Sequence, residues 1–293
     1  MKYERVAIVT TFFSLWLSVS FIHPSQEFIA LFLIFSFGIL HGSNDLSLIA
    51  KVNTASRPKH LAIFISSYVV TVLVASLLFY FIPVVALVFF IFFSAFHFGE
   101  QHWSASLNNT SRLNRFLFLN YGLALVFMLF YLNSEATQAV VFSLTKLTVP
   151  KQWFLWIFIV SSSLWVLQVL LLAYRKCILL QQLFFEIFMF LIFAIVFKTA
   201  TLIWAFGIYF IFWHSIPSIL EQQSFLYGEV SLRTFIIYLK SSFFIWLVSI
   251  ISIILLFFWL EDDAIFLPVL FAFLGAITFA HSFTISQMFR LKK

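Results

Sequence analysis

Apolar runs long enough to cross a bilayer recur along the whole chain and leave little else. A membrane-crossing helix needs about 20 largely apolar residues. On that measure the runs fall at residues 5–22, 28–50, 60–82, 83–103, 114–133, 152–174, 177–197, 200–221, 234–260 and 264–289. The third and fourth are parted only at Pro83, and the last two only at Glu261-Asp262-Asp263. With 63% of residues hydrophobic and 10% charged, the chain is far from the roughly one quarter charged of a soluble domain. The expected fold is all-α, a polytopic integral membrane bundle of about ten helices (8–10). No hydrophilic stretch is long enough for a separate soluble domain, so residues 1–293 are expected to form one integral domain.

Charge placement gives the orientation. Lys2, Glu4 and Arg5 precede an apolar stretch as in a signal sequence, but His23-Pro24-Ser25-Gln26 follows in place of a small-residue cleavage site. The first run therefore reads as an uncleaved span. With both termini cytoplasmic, fourteen of the 17 Lys and Arg residues, among them Lys51, Arg57, Arg112, Arg175, Arg233 and Arg290, fall inside. Only Lys146, Lys151 and Lys198 fall outside. Such a bias is the positive-inside pattern. It accounts for the net charge of +6 without nucleic acid. No internal repeat, glycine-rich phosphate loop or low-complexity tail is present, and the semi-apolar segment 137–149 suits the interface.

Chemistry has to come from His, Asp, Glu and hydroxyl groups, because Cys177 is the only cysteine. A disulfide within the chain and cysteine-based zinc or iron–sulfur sites are thereby excluded. The segment Gly38-Ile39-Leu40-His41-Gly42-Ser43-Asn44-Asp45 places a histidine and a carboxylate inside an apolar run. Ionisable groups at that depth are costly and usually functional. His97, His214 and His281 lie in three further spans that run in the same direction, from outside to inside. His41 precedes Lys51 by ten residues and His281 precedes Arg290 by nine, which puts both about 13–15 Å from a cytoplasmic anchor at 1.5 Å per residue. Glu100-Gln101 and Glu221-Gln222 follow His97 and His214 at a similar depth.

Four imidazoles in one layer can hold iron, copper or zinc. Asp45 and Glu100 then stand where a carboxylate accepts the second ring N–H of a bound histidine, and Ser218 follows His214 at i+4. Each histidine taken alone can equally bond a neighbouring helix, and a proton relay would use the same residue types. His23, His60 and His102 lie at or near span ends, where histidine is ordinary. Glu186 can pair with a neighbouring helix, and Pro217 can kink the eighth span just beyond His214. Most of the 44 phenylalanines suit lipid-facing surface. Phe96, Phe98, Trp204, Phe212 and Trp213 adjoin the candidate ligands and are candidates for the wall of a tunnel for a long apolar ligand. The paired HxxxH and HxxHH groups of membrane di-iron desaturases are missing.

The segment Gly38 to Asp45, Phe96-His97-Phe98-Gly99-Glu100, Trp213-His214-Ser215 and Ala280-His281 resemble, in order and separation, the marks of the bacterial Brp/Blh-type β-carotene 15,15′-dioxygenases. That resemblance implies an inner-membrane enzyme that uses Fe(2+) and O2 to split the central double bond of β-carotene into two retinals, often to supply a rhodopsin. It also implies His41, His97, His214 and His281 as metal ligands, with Asp45 and Glu100 orienting them. The pattern commonly has a second histidine four residues after His214, where this chain has Ser218. His281, Glu100 or His102 is then left to complete the ligand set. The rival readings are a non-catalytic carotenoid or retinal binder and a proton-coupled transporter using the same intramembrane groups.

The orientation is testable by alkaline phosphatase fusions, which are active only outside the cytoplasm. Fusion after Leu147 is expected to be active, and fusions after Ser111 or Gly228 inactive. The reverse pattern would overturn the topology.

Overall fold

The computed structural model describes residues 2–20, 22–52, 58–104, 106–107, 111–259 and 263–291. Arg57, the acidic turn at Glu261-Asp262 and Lys292-Lys293 lie outside the described residues. The described residues form helices and connections with no strand. In order the helices are α1 (Lys2–Ser20), α2 (His23–Leu33), α3 (Ile39–Gly42), α4 (Asp45–Val52), α5 (Pro58–Phe81), α6 (Pro83–Trp103) and α7 (Arg112–Leu132). They continue as α8 (Ser134–Thr145), α9 (Lys151–Tyr174), α10 (Leu180–Thr199), α11 (Leu202–Tyr209), α12 (Ile216–Tyr227), α13 (Leu232–Trp259) and α14 (Asp263–Leu291).

Seven helical runs among the described residues are long and apolar enough to cross a membrane: His23–Val52, Pro83–Trp103, Arg112–Leu132, Lys151–Tyr174, Leu180–Thr199, Leu202–Tyr227 and Leu232–Leu255. Each coincides with one of the ten expected spans. Within α5 the apolar stretch is shorter, Ile65–Phe81. The protein is thus a multi-pass membrane protein. Pro83 sits at the first position of α6, where its missing N–H costs nothing.

Two of the expected spans are not regular helices. Between α2 and α3 lies a π-helical turn, Ile34–Gly38, and between α11 and α12 another, Phe210–Ser215. Each has a local cause. The Trp246 indole N–H donates to the carbonyl of Ser36 at 3.1 Å, and a side chain entering the carbonyl ladder disturbs its i→i−4 bonding. In the second turn, Pro217 has no N–H for the carbonyl of Trp213. The expected span at 28–50 is also broken at Ser43-Asn44, where α3 ends and α4 begins. Asn44 is held there by its side-chain amide, which donates to the carbonyl of Tyr238 at 3.1 Å, and by its Oδ1, which accepts from the Ser241 hydroxyl at 2.7 Å.

The chain divides into two compact units. The first comprises residues 1–34, 95–142 and 147–214, and the second residues 35–94, 143–146 and 215–293. In the first, α7 packs chiefly on α9, and Asn120 donates to Gln168 across that pair at 3.0 Å. Helix α1 is tied to α11 and the second π-helical turn by three polar contacts: Trp204 Nε1 to Ser18 Oγ and Trp213 Nε1 to Thr11 Oγ1, both 2.8 Å, and Tyr3 Oη to the carbonyl of Phe212. In the second unit α14 packs on α5 and α4, and α13 on α3.

Two glycines let α6 and α7 meet backbone to backbone. A Cβ on Gly99 would lie 1.9 Å from the carbonyl oxygen of Phe118, and one on Gly122 would lie 1.8 Å from that of Ala95. Alanine ordinarily favours a helix by about 1 kcal/mol over glycine. Here the obstacle is main chain and cannot rotate away, so overpacking dominates. Gly99→Ala and Gly122→Ala are each expected to lower the thermal midpoint and the yield of monodisperse protein in detergent. Gly228→Asn, at a left-handed position (φ 84°) with open space around it, is expected to leave both unchanged. Stability of the α6 and α7 variants equal to the parent would refute the backbone contact.

Candidate metal centre

In the second unit, α3 and α14 bring His41 and His281 together, with ring centroids 4.7 Å apart and planes at 89°. Both are buried. Asp45, at the first position of α4, accepts from His281 Nδ1 at 2.8 Å through Oδ1, and from the Tyr68 hydroxyl at 2.9 Å through Oδ2. His41 Nδ1 meets the carbonyl oxygen of Gly38. A carbonyl can only accept, so the proton sits on Nδ1 and the lone pair on Nε2. An Nδ1–H donated to Asp45 leaves His281 in the same state. The site thus fits a metal by its donor chemistry: an oxygen behind each ring fixes the tautomer that offers Nε2.

One sequence expectation is corrected here. A continuous helix would place Asp45 one turn beneath His41, but the break at Ser43-Asn44 removes that register. Asp45 turns to His281, 236 residues away in sequence, and the backbone of the preceding π-helical turn serves His41. Gly42, between the two, faces the His281 ring, where a Cβ would come to 3.8 Å of Nδ1. That is ordinary contact distance, so glycine is not demanded there.

The polar residues of α12 support His41 through its backbone. Gln222 Nε2 donates to the carbonyl of His41 at 2.8 Å and to Ser218 Oγ at 3.0 Å, and the Tyr238 hydroxyl donates to Gln222 Oε1 at 2.9 Å. Ser218 and Gln222 are both fully buried. In this network Ser218 is an acceptor that steadies Gln222.

In the first unit, α6 and the second π-helical turn pair His97 with His214, at a centroid separation of 4.7 Å and an angle of 80°. Both are 1% exposed. Phe98 meets the His214 ring edge-on at 4.7 Å, and Phe210 stacks on it at 5.4 Å and 20°. Glu100 and Gln101, one turn beyond His97, are buried. His102 makes a separate pair: its Nε2 lies 2.7 Å from Glu186 Oε2, and its ring stacks on Tyr121 at 4.6 Å. Its outer nitrogen is therefore committed to Glu186, as expected of a carboxylate paired with a neighbouring helix.

The five candidate tunnel residues have diverse surroundings in this unit. Phe98 walls His214, as described. Trp204 and Trp213 point their N–H groups at α1, Phe212 accepts from Tyr3 through its carbonyl, and Phe96 packs on Phe118 at 6.3 Å and beneath Arg115 at 5.9 Å. Residues that sequence reasoning passed over are Tyr68 and Tyr238. Their only signal was a polar atom in an apolar helix, shared with many residues that do nothing similar.

Each candidate pair is thus placed beside a π-helical turn, a distortion often found at functional sites. A family model described as beta-carotene 15,15'-dioxygenase matches residues 32–289. No curated protein and no solved structure matches the chain. The family match runs from the last residues of α2 into the final turn of α14 and takes in all four histidines and Asp45. The chain belongs to the beta-carotene 15,15'-dioxygenase family.

Proposed function

We propose that this protein is a bacterial inner-membrane dioxygenase that cleaves the central 15,15′ double bond of β-carotene with O2, giving two molecules of retinal. We assign His41, His97, His214 and His281 as ligands of Fe(2+), with Asp45 and Glu100 as orienting groups. The observation that carries this reading is the tautomer control at His41 and His281. Each ring is held through Nδ1 by an oxygen, which makes Nε2 the nitrogen whose lone pair can bind a metal.

Iron bound by neutral imidazoles supplies the one-electron chemistry with O2 that a polyene cannot undergo unaided. Both oxygen atoms end in the two aldehydes, so the overall reaction needs no reductant and no proton donor. The residues' tasks are then to hold and to position. Asp45 fixes the His281 ring and is itself fixed by Tyr68. Gln222 and Gly38 fix His41 by its backbone and its Nδ1. Phe98 and Phe210 restrict the His214 ring and keep water from its surroundings. The product retinal would be available in the bilayer to a retinal-binding rhodopsin.

Expression in a bacterium that accumulates β-carotene tests the activity. Loss of orange colour with appearance of retinal by chromatography is expected, and His41→Ala, His97→Ala, His214→Ala and His281→Ala are each expected to abolish it. Colour that persists with the folded protein in the membrane would refute this substrate. Asp45→Asn keeps the shape but loses the tautomer control, and such changes typically cost about 10–100-fold. Ser218→Ala removes one neutral hydrogen bond, worth about 1 kcal/mol, and is expected to keep activity. Equal loss in Ser218→Ala and His281→Ala would contradict the ligand assignment.

A further inference from the structure

We infer that the cavity between α5, α6 and α14 is a lateral binding site for one half of the carotenoid, reached from the bilayer and ending at Tyr68. This rests on the activity proposed above. The cavity measures about 520 Å³, within the roughly 300–1,000 Å³ usual for small-molecule sites. It lies wholly in the second unit.

Its lining is graded. At one end stand Val74 and Leu78 of α5, Phe89 and Phe93 of α6, and Phe279 of α14. Phe93 and Phe279 meet edge to face at 5.0 Å, and the Phe79 ring fills the space beside Gly275. Toward the other end the lining changes to Ser67, Tyr68 and Thr71 on α5 and to Thr284 and Gln287 on α14. No charged residue lines it among the described residues. A phosphate or carboxylate headgroup would find no cation to pair with there, whereas a ring and polyene would find aromatic edges and aliphatic walls.

The route in and the connection to the metal ligands are both visible. Val70, Val74, Phe89, Phe93 and Phe283, which form much of the wall, are 45–63% exposed. In a membrane that surface faces lipid, where a carotenoid resides. At the inner side, Tyr68 lines the cavity and donates to Asp45, which holds His281. Ala280 and Thr284 line it from the same helix as His281, and Ile49 from one turn beyond Asp45. An occupant therefore touches both Tyr68 and the residue preceding His281. Tyr68 is a positioning residue, through which occupancy and the orientation of His281 communicate.

The test uses the purified holoprotein kept anaerobic, so that bound β-carotene is not consumed, with binding read from the carotenoid absorbance. Val74→Trp fills the cavity from a half-exposed position and is expected to weaken β-carotene binding at least roughly tenfold while leaving iron content unchanged. Ala75→Phe, from α5's inner side, is a second filling variant. Val160→Trp, on the exposed face of α9, is expected to bind as the parent does. Parent-like binding by both folded filling variants would overturn the inference, as would a parent protein that binds no β-carotene. Binding that Val74→Trp abolishes, in a parent that yields no retinal once O2 is admitted, would refute the activity and leave the site standing. Displacement of β-carotene by phospholipid acyl chains alone would reassign the cavity to lipid.

Discussion

A carboxylate inside an apolar bundle has to be matched by donors, and Asp45 has two. The His281 ring and the Tyr68 hydroxyl each take one of its oxygens. An unmatched carboxylate at that depth would cost several kcal/mol, so the three residues are locked to one another and draw α4, α5 and α14 together. The ring that Asp45 holds is in turn edge-on to His41. Remove the carboxylate and the orientation of His281, the seat of Tyr68 and the geometry of the histidine pair lose their common support.

The helices pay for this by giving up regularity at three places. The π-helical turn before His41 supplies the carbonyl that fixes its ring, and the break at Ser43-Asn44 swings Asp45 toward α14. The second π-helical turn carries His214 itself. In lipid a freed backbone group must find a partner within the protein, and it does so here: Trp246 serves Ser36, Gln222 serves His41, and Tyr3 serves Phe212. Each distortion is thereby stabilised by a side chain from a distant helix. Fold and site are consequently one set of contacts, which makes conservative changes at Trp246 or Gln222 informative about both.

Much of this was legible in the chain before any coordinates. Apolar run length and the uneven placement of lysine and arginine indicate a multi-pass protein, and polar residues stranded among leucine and phenylalanine single out His41, Asp45, His97, His214 and His281. Pairing was not legible. Asp45 sits four residues from His41, so helical periodicity points to the wrong ring unless Gly42-Ser43-Asn44 is read as a helix break. The π-helical turns depend on Trp246 and Pro217 acting through the backbone, and the first of these is remote in sequence. The cavity escaped for a related reason: it belongs to the spacing of three helices, whereas the aromatic residues nearest the histidines are occupied with α1 and with each other.

The central claim is the proposal that His41, His97, His214 and His281 are ligands of iron. It is tested most directly by metal analysis of protein purified anaerobically, comparing the parent with single alanine variants at His97 and His281. That proposal predicts stoichiometric iron in the parent and its loss from both variants, each still folded. Iron that survives the loss of His97, or a parent that carries none, would contradict it.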